Sequence, residues 1–380
     1  MDFQLSEEQS ILREMIRDFA RREIEPVAAE LDREHRFPTE ILEKAAALGL
    51  MGVTVPAEYG GAGMDFLSYM IVLEEIARSC ASTAVILSVH NTLGCGTLLK
   101  FGTEEQRRAW LPRAARGEIL GAYLLTESGA GSDAASLICR AERRQDGWLL
   151  NGSKTFISNG AHAGFGILYA RNGNEGGSRG ISAFILDMKA PGVHKGPEEA
   201  KMGLNASSTV TVNLEDVLLP PESLIGPEGR GFSIAMEMLN AGRIGIAAQA
   251  LGLCEAALEE SLKYSREREQ FGRPIGQFQS IQEKLTDMHM LTEASRLLCY
   301  RAALAAESGE AIILQAATAK LFASRAAVRC AEQAVQIHGG YGYSKDYKVE
   351  RIFRDARVTE IYEGTSEVQR LVMARQLLER

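Results

Sequence analysis

A chain of 380 residues with 50 acidic against 42 basic side chains has a formal net charge of −8 and carries no electrostatic footprint for nucleic acid. Its 46% hydrophobic and 24% charged residues are those of a globular protein too long for one core, so two or three domains are expected. The opening MDFQLSEEQS has no signal-peptide pattern, apolar runs such as AVILSV (84–89) are too short to span a membrane, and six cysteines without a CxxC pair suit reduced, buried thiols in a cytoplasmic protein.

Residues 1–122 read as an N-terminal α-helical domain. Ser6 and Gln9 form a capping-box pattern, and Ile11, Leu12, Met15, Ile16 and Phe19 follow at helical spacing. Pro26, Pro38 and Pro56 separate helices, and EYGGAGMDF (58–66) is a glycine-rich loop. Residues 123–232 read as a middle β domain, a barrel or sheet. WLLNGSKTFISNG (148–160) has two Asn-Gly pairs bounding a short apolar-rich segment, which predicts a hairpin. ISAFILDM (181–188) and STVTVNLEDVLL (208–219) are rich in β-formers. Residues 233–380 read as a C-terminal four-helix bundle, with apolar-periodic stretches at 233–264, 277–307 and 311–338. The chain is therefore α+β and mainly α, with segregated elements.

Two motifs are set aside. GAGSDA (129–134) fits a dinucleotide fingerprint, but β sequence follows it instead of a helix. GGSRG (176–180) fits G-x-S-x-G, but lies in a polar loop before a strand and not at a strand-to-helix turn. The six histidines show no metal-ligand spacing, so no metal is expected. HGGYGY (338–343) stays open: one glycine serves as a helix C-cap, and the others suit either a plain turn or backbone approaching a phosphate.

YLLTESGAGSD (123–133), KTFISNG (154–160), REREQFGRPI (266–275), QIHGGYGY (336–343) and IYEGTSEVQR (361–370), in this order, resemble the acyl-CoA dehydrogenase family along essentially the whole chain. The set is most similar to the short-chain, butyryl-CoA type. The resemblance implies non-covalent FAD, a homotetramer built as a dimer of dimers, and electron-transfer flavoprotein as acceptor. It also implies oxidation of a short- to medium-chain acyl-CoA to the trans-2-enoyl-CoA. In that chemistry Glu363 takes the α-proton and flavin N5 the β-hydride. A weakly acidic α-proton needs a positioned base and donors to the thioester oxygen, and the family supplies the latter from the glutamate's backbone N–H and a flavin ribityl hydroxyl. Burial should raise the carboxylate's pKa.

Other roles come from the same resemblance. Tyr123, Thr126, Ser132, Phe156, Ile157 and Ser158 are expected at the flavin ring. Arg268, Gln270, Phe271, Gln279, Gln336, Ile337, His338, Gly339 and Gly340 are expected on the FAD of a neighbouring subunit. Thr365, Ser366 and Glu367 complete the cofactor set. Ser132, Asn240, Arg243 and Gly364 are expected to meet substrate. Glu360 could favour a following helix through its charge. Phe156 replaces a common tryptophan, Ser128 a proline, and Asn240 an aspartate found in some relatives. The position that supplies the base in isovaleryl- and long-chain-type members is Gly242 here, which favours Glu363. No cation lies in CASTAV (80–85) for a free ω-carboxylate. Two alternatives remain: an acyl-CoA oxidase on the same scaffold, although typical ones are longer, and a non-catalytic flavin-containing binding or assembly protein.

Overall fold

Our computed structural model describes residues 4–173, 177–309 and 311–379. The helical start is encoded locally. Ser6 caps α1 (Glu7–Phe19) and Gln9 bonds back, completing the capping box. α2 (Glu25–Glu34), α3 (Thr39–Ala47), α4 (Phe66–Ser79), α5 (Ala81–Ser88), α6 (Gly96–Phe101) and α7 (Glu104–Ala115) follow. Asp65 caps α4 at the end of the glycine-rich loop, and Thr103 with Gln106 builds a second capping box on α7. A π-helical segment, Val89–Cys95, joins α5 to α6 without a break. The run Ala81–Phe101 is thus long and apolar enough to cross a membrane, but 78% of its most apolar window is packed inside the protein, as a core helix would be.

The middle of the chain forms β1 (Gly121–Leu124), β2 (Arg140–Arg144), β3 (Gly147–Ser158), β4 (Phe165–Arg171), β5 (Ile181–Asp187), β6 (Val193–Glu198), β7 (Thr209–Leu219) and β8 (Leu224–Ile225). Their order is β6-β7-β3-β2-β4-β5-β8, with β1 pairing parallel to β4 and most other pairs antiparallel. A barrel would need its end strands to pair. β6 and β8 do not, so the sheet is open, not a closed barrel. The expected hairpin at Asn151-Gly152 is also absent. β3 runs straight through that pair with a register shift against β7, and Gly152 lies so close to Cys139 that an added Cβ would approach it to 2.8 Å. The second Asn-Gly does end β3, with Asn159 at φ 64°. Along β4, Phe165, Ile167 and Tyr169 pack towards helices, while Leu168 and Ala170 face Trp148, Val210 and Val212 across the sheet. Burial on both faces explains its unbroken apolar FGILYA.

After GAGSD comes a short turn (Ala134–Ser136) and then β2, not a helix. Gly177–Gly180 is one 3₁₀ turn before β5, and Gly176 of the same segment lies outside the described residues.

α8 (Gly231–Glu267), the short ribbon of β9 (Glu269–Gln270) and β10 (Arg273–Pro274), α9 (Gln279–Glu307) and α10 (Ile313–His338) follow. The reading of four long helices is corrected here: the fourth position is split into α11 (Lys348–Val358) and α12 (Ser366–Leu378). The split lies at Glu363 and Gly364, whose φ values of 52° and 99° no α-helix accommodates. One apolar cluster joins the N-terminal helices to α8–α11. Among the described residues one group of three carboxylates, Glu74, Glu75 and Glu255, converges inside it. Arg296 binds Glu74 at 2.8 Å and Glu255 at 2.5 Å, and Arg17 binds Glu75 at 2.7 Å, which accounts for the group as an ion-pair network. All six cysteines are free and buried.

Candidate active site

The turn between α11 and α12 is fixed by its carbonyls. Glu363 O accepts from Arg243 Nε at 3.3 Å and Gln369 Nε2 at 3.2 Å. Gly364 O accepts from Lys320 Nζ at 2.8 Å and Gln369 Nε2 at 2.9 Å. These donors come from α8, α10 and α12. The Glu363 N–H has no acceptor among the described residues. Gly364 is required by its φ and by Gln369, which an added Cβ would meet at 2.6 Å. The structure thus gives it a role in backbone geometry, beside the room for substrate that the sequence suggested.

The Glu363 carboxylate points at α8. Its Oε2 is buried and has no hydrogen-bond partner among the described residues. A Cβ on Gly242 would lie 2.2 Å from that oxygen, so the missing side chain at 242 makes the space it occupies. Burial pushes the Glu363 carboxyl up to about 7, against the charges of Arg243 and Lys320, which pull it down. A carboxylate with this poise and a free oxygen can accept a proton near neutrality.

Tyr123 on β1 lies beside this group. It donates to Ala235 O on α8 at 3.2 Å, packs with its ring tilted against Tyr169 at 5.0 Å, and senses the charges of Glu363 and Arg243. Thr126 O accepts from Thr155 N at 2.9 Å, tying the loop after β1 to β3 next to Phe156. Beneath it Lys154, fully buried, binds Glu127 at 2.7 Å and Leu125 O at 3.0 Å. Phe156 is 64% exposed at φ 55°, Ser132 is exposed, and Ser158 is partly buried. Ile157 packs its side chain into the sheet core, so only its backbone remains available. Asn240 and Arg243 are buried and bonded to each other at 2.7 Å. They brace the site from inside and present little surface to a substrate.

Thr365 caps α12 by accepting from Val368 N at 3.3 Å, with Ser366 buried and Glu367 exposed in the first turn. Glu360 contributes through its carbonyl, which accepts from Ser366 N at 2.9 Å, while its acid pairs with Arg357.

A second group gathers at the far end of α8. The Arg268 guanidinium lies 5.5 Å from the Tyr341 ring, Phe271 is 94% exposed at φ 54°, and Gln270, Gln279, Gln336, Gly339 and Gly340 are exposed. Ile337 and His338 face inward, the latter stacked 4.2 Å from Tyr264. Gly339, at φ 61°, ends α10. Gly242 and Arg268 are separated by about 39 Å of α8 at 1.5 Å per residue. One chain therefore does not bring the two groups together. Sequence reasoning missed Lys320 and Gln369. The signal for Lys320 was a cation inside the alanine-rich AATAKLFA.

The chain matches three family models: acyl-CoA dehydrogenase N-terminal domain over residues 6–118, middle domain over 122–217 and C-terminal domain over 229–378. It belongs to the acyl-CoA dehydrogenase family. An acyl-CoA dehydrogenase of Bacillus subtilis (strain 168) is 49% identical over 374 residues, covering 98% of this chain and 99% of that one. The short-chain specific acyl-CoA dehydrogenase of Mus musculus is 47% identical over 375 residues, covering 99% and 91%. Among solved structures, butyryl-CoA dehydrogenase from Megasphaera elsdenii superposes with a TM-score of 0.98 at 43% identity, covering all of both chains. Within the acyl-CoA dehydrogenase family the chain is thus closely related to the short-chain type.

Proposed function

We propose that Glu363 is the base that removes the α-proton of a short, straight-chain acyl-CoA. The protein is an FAD-dependent oxidoreductase of its family, with electron-transfer flavoprotein as acceptor. The observation that carries the base assignment is the buried, unpartnered Oε2 of Glu363, held near neutrality by its surroundings. The free N–H of the same residue is available to a thioester oxygen as charge develops on it, which favours the transition state over the ground state. Arg243, Lys320 and Gln369 hold the turn so that base and donor keep one mutual geometry.

The residues fit FAD. Cβ atoms added at Gly129 and Gly131 would meet nothing within 4 Å, and with exposed Phe156 they leave an open surface beside Tyr123 and Thr126. Arg268, Phe271, Gly339 and Gly340 form a similar open surface far along α8. Bound FAD supplies the two-electron oxidant. The α8 span favours one cofactor held between two copies, with Tyr123, Thr126 and Phe156 from one and Arg268 to Gly340 from the other. That reading requires a dimer, and two such dimers paired make the proposed homotetramer. The units 1–122, 123–232 and 233–380 are its domains, and the free thiols suit the cytoplasm.

Chain length is supported from α8 as well. One turn beyond Gly242, a Cβ on Gly245 would reach Ser88 Oγ at 2.8 Å and Leu73 at 3.4 Å. Tyr69 and Thr92, hydrogen-bonded at 2.9 Å, stand behind them. We read this close packing as limiting the space past the carboxylate. The test is anaerobic addition of butyryl-CoA, octanoyl-CoA and isobutyryl-CoA to the yellow holoenzyme. Butyryl-CoA should bleach it with the highest kcat/KM; faster turnover of either other substrate would overturn the chain-length reading. Slow return of colour in air separates a dehydrogenase from an oxidase.

A further inference from the structure

Lys320 is a buried cation whose charge the reading above does not use. It has no solvent exposure and sits on an α10 face otherwise made of small residues such as Ala316, Ala319, Ala323, Ser324 and Ala327. Taking an ammonium out of water is costly unless it is compensated. Yet Lys320 makes no ion pair within 4.0 Å among the described residues, and its one hydrogen bond goes to Gly364 O. The attraction it does feel comes first from Glu363, then from Glu360 and Glu367. A structural filler at this position would be apolar; a charge kept here acts on the turn.

We propose that Lys320 is a positioning residue for Glu363, pinning the Gly364 carbonyl and supplying positive charge that faces the unpartnered carboxylate. The inference rests on Glu363 being the base. The groups that face this carboxylate are Arg243 from α8, Lys320 from α10, Tyr123 from β1, Tyr69 from α4 and the adjacent Tyr362. Only Arg243 and Lys320 are cationic. Arg243 already spends its Nε on Glu363 O and Nη1 on Asn240. Burial lowers the Lys320 ammonium to about 8, so it remains mostly charged at neutrality. It therefore opposes the burial that favours the protonated, inactive form of Glu363.

The experiment is the pH profile of kcat for the holoenzyme at saturating butyryl-CoA, in wild type and in Lys320→Met, Lys320→Gln and Lys320→Arg. The two neutral variants should move the acid limb upward by about half to one pH unit. KM should change less than about threefold. Lys320→Arg, which keeps the charge, should hold the limb in place. Lys320→Gln is one bond shorter but keeps a polar donor, so it carries the test should Lys320→Met fail to fold. A lower melting temperature with an unmoved limb in either folded neutral variant would overturn the proposal. Glu363→Gln is the control. If it keeps wild-type turnover, the base assignment fails; if it is inactive while the limb stays fixed, only the role of Lys320 fails.

Discussion

Replacing Gly242 with alanine should disable this enzyme while leaving its fold intact or firmer. The new Cβ would lie 2.2 Å from Glu363 Oε2, 2.9 Å from Cδ and 3.1 Å from Oε1. These are the near contacts, and all belong to one carboxylate at the end of a flexible side chain. Ordinary contact begins near 3.4 Å, so the carboxylate must retreat by about 1 Å. A displacement of that size at a reacting group costs on the order of 10²-fold in rate. In the helix interior, glycine to alanine is otherwise favourable by about 1 kcal/mol. The assay pairs stopped-flow flavin reduction by butyryl-CoA with a thermal melt. Reduction should slow about 10²-fold with Tm unchanged or raised. Wild-type reduction would refute the geometry, and a Tm several degrees lower would show that the alanine strains the helix and not the base.

Other outcomes follow from the same structure. Glu363 is raised from 4.5 to about 7, so wild-type turnover should climb as pH rises through about 7, where the base ionises. The folded state also holds that proton more tightly than the unfolded state, so stability falls as pH rises from about 4.5 to about 7. Above that window Glu363→Gln should exceed wild type by up to about 3 kcal/mol, seen as a diverging pH dependence of Tm. Equal Tm at every pH would deny the raised carboxyl. Lys154→Met strands the buried Glu127 carboxylate, which then keeps only the N–H groups of Ile138 and Cys139. It should cost about 3–5 kcal/mol and release flavin on gel filtration. Retained flavin would show that the loop at Thr126 does not depend on the pair. Phe271→Ala, altering a side chain remote from Glu363, should weaken FAD retention in proportion to dimer dissociation. Its failure to do so on dilution would argue against a shared cofactor.

The start of α1 and the long C-terminal helices were legible because their signals are local. Ser6 with Gln9 starts α1 as its pattern predicts, and α8 to α10 follow their apolar periodicity. The β region was legible as composition and less so as topology. Asn151-Gly152 is a hairpin signal in sequence, but Cys139 packs against Gly152 and β7 pairs along the strand, so tertiary contact overrides the turn. β4 lacked alternation because both its faces are covered. At the site, Glu363 and the significance of Gly242 came from motif order. Lys320 and Gln369 did not, because what they do is bond to carbonyls of a turn that lies 44 and 5 positions away from them in Gly364. Asn240 and Arg243 were read as facing substrate; their hydrogen bond to each other was not legible, because spacing on α8 does not settle side-chain direction.

The central claim is that Glu363 takes the proton. It is tested most directly by anaerobic single-turnover reduction of the flavin in Glu363→Gln with butyryl-CoA. The turn's carbonyl bonds to Arg243, Lys320 and Gln369 do not depend on this side chain, so the variant should fold and keep FAD. Reduction slowed roughly 10³-fold, with substrate binding retained, is the predicted result. Reduction within about tenfold of wild type would contradict the account and move the base elsewhere.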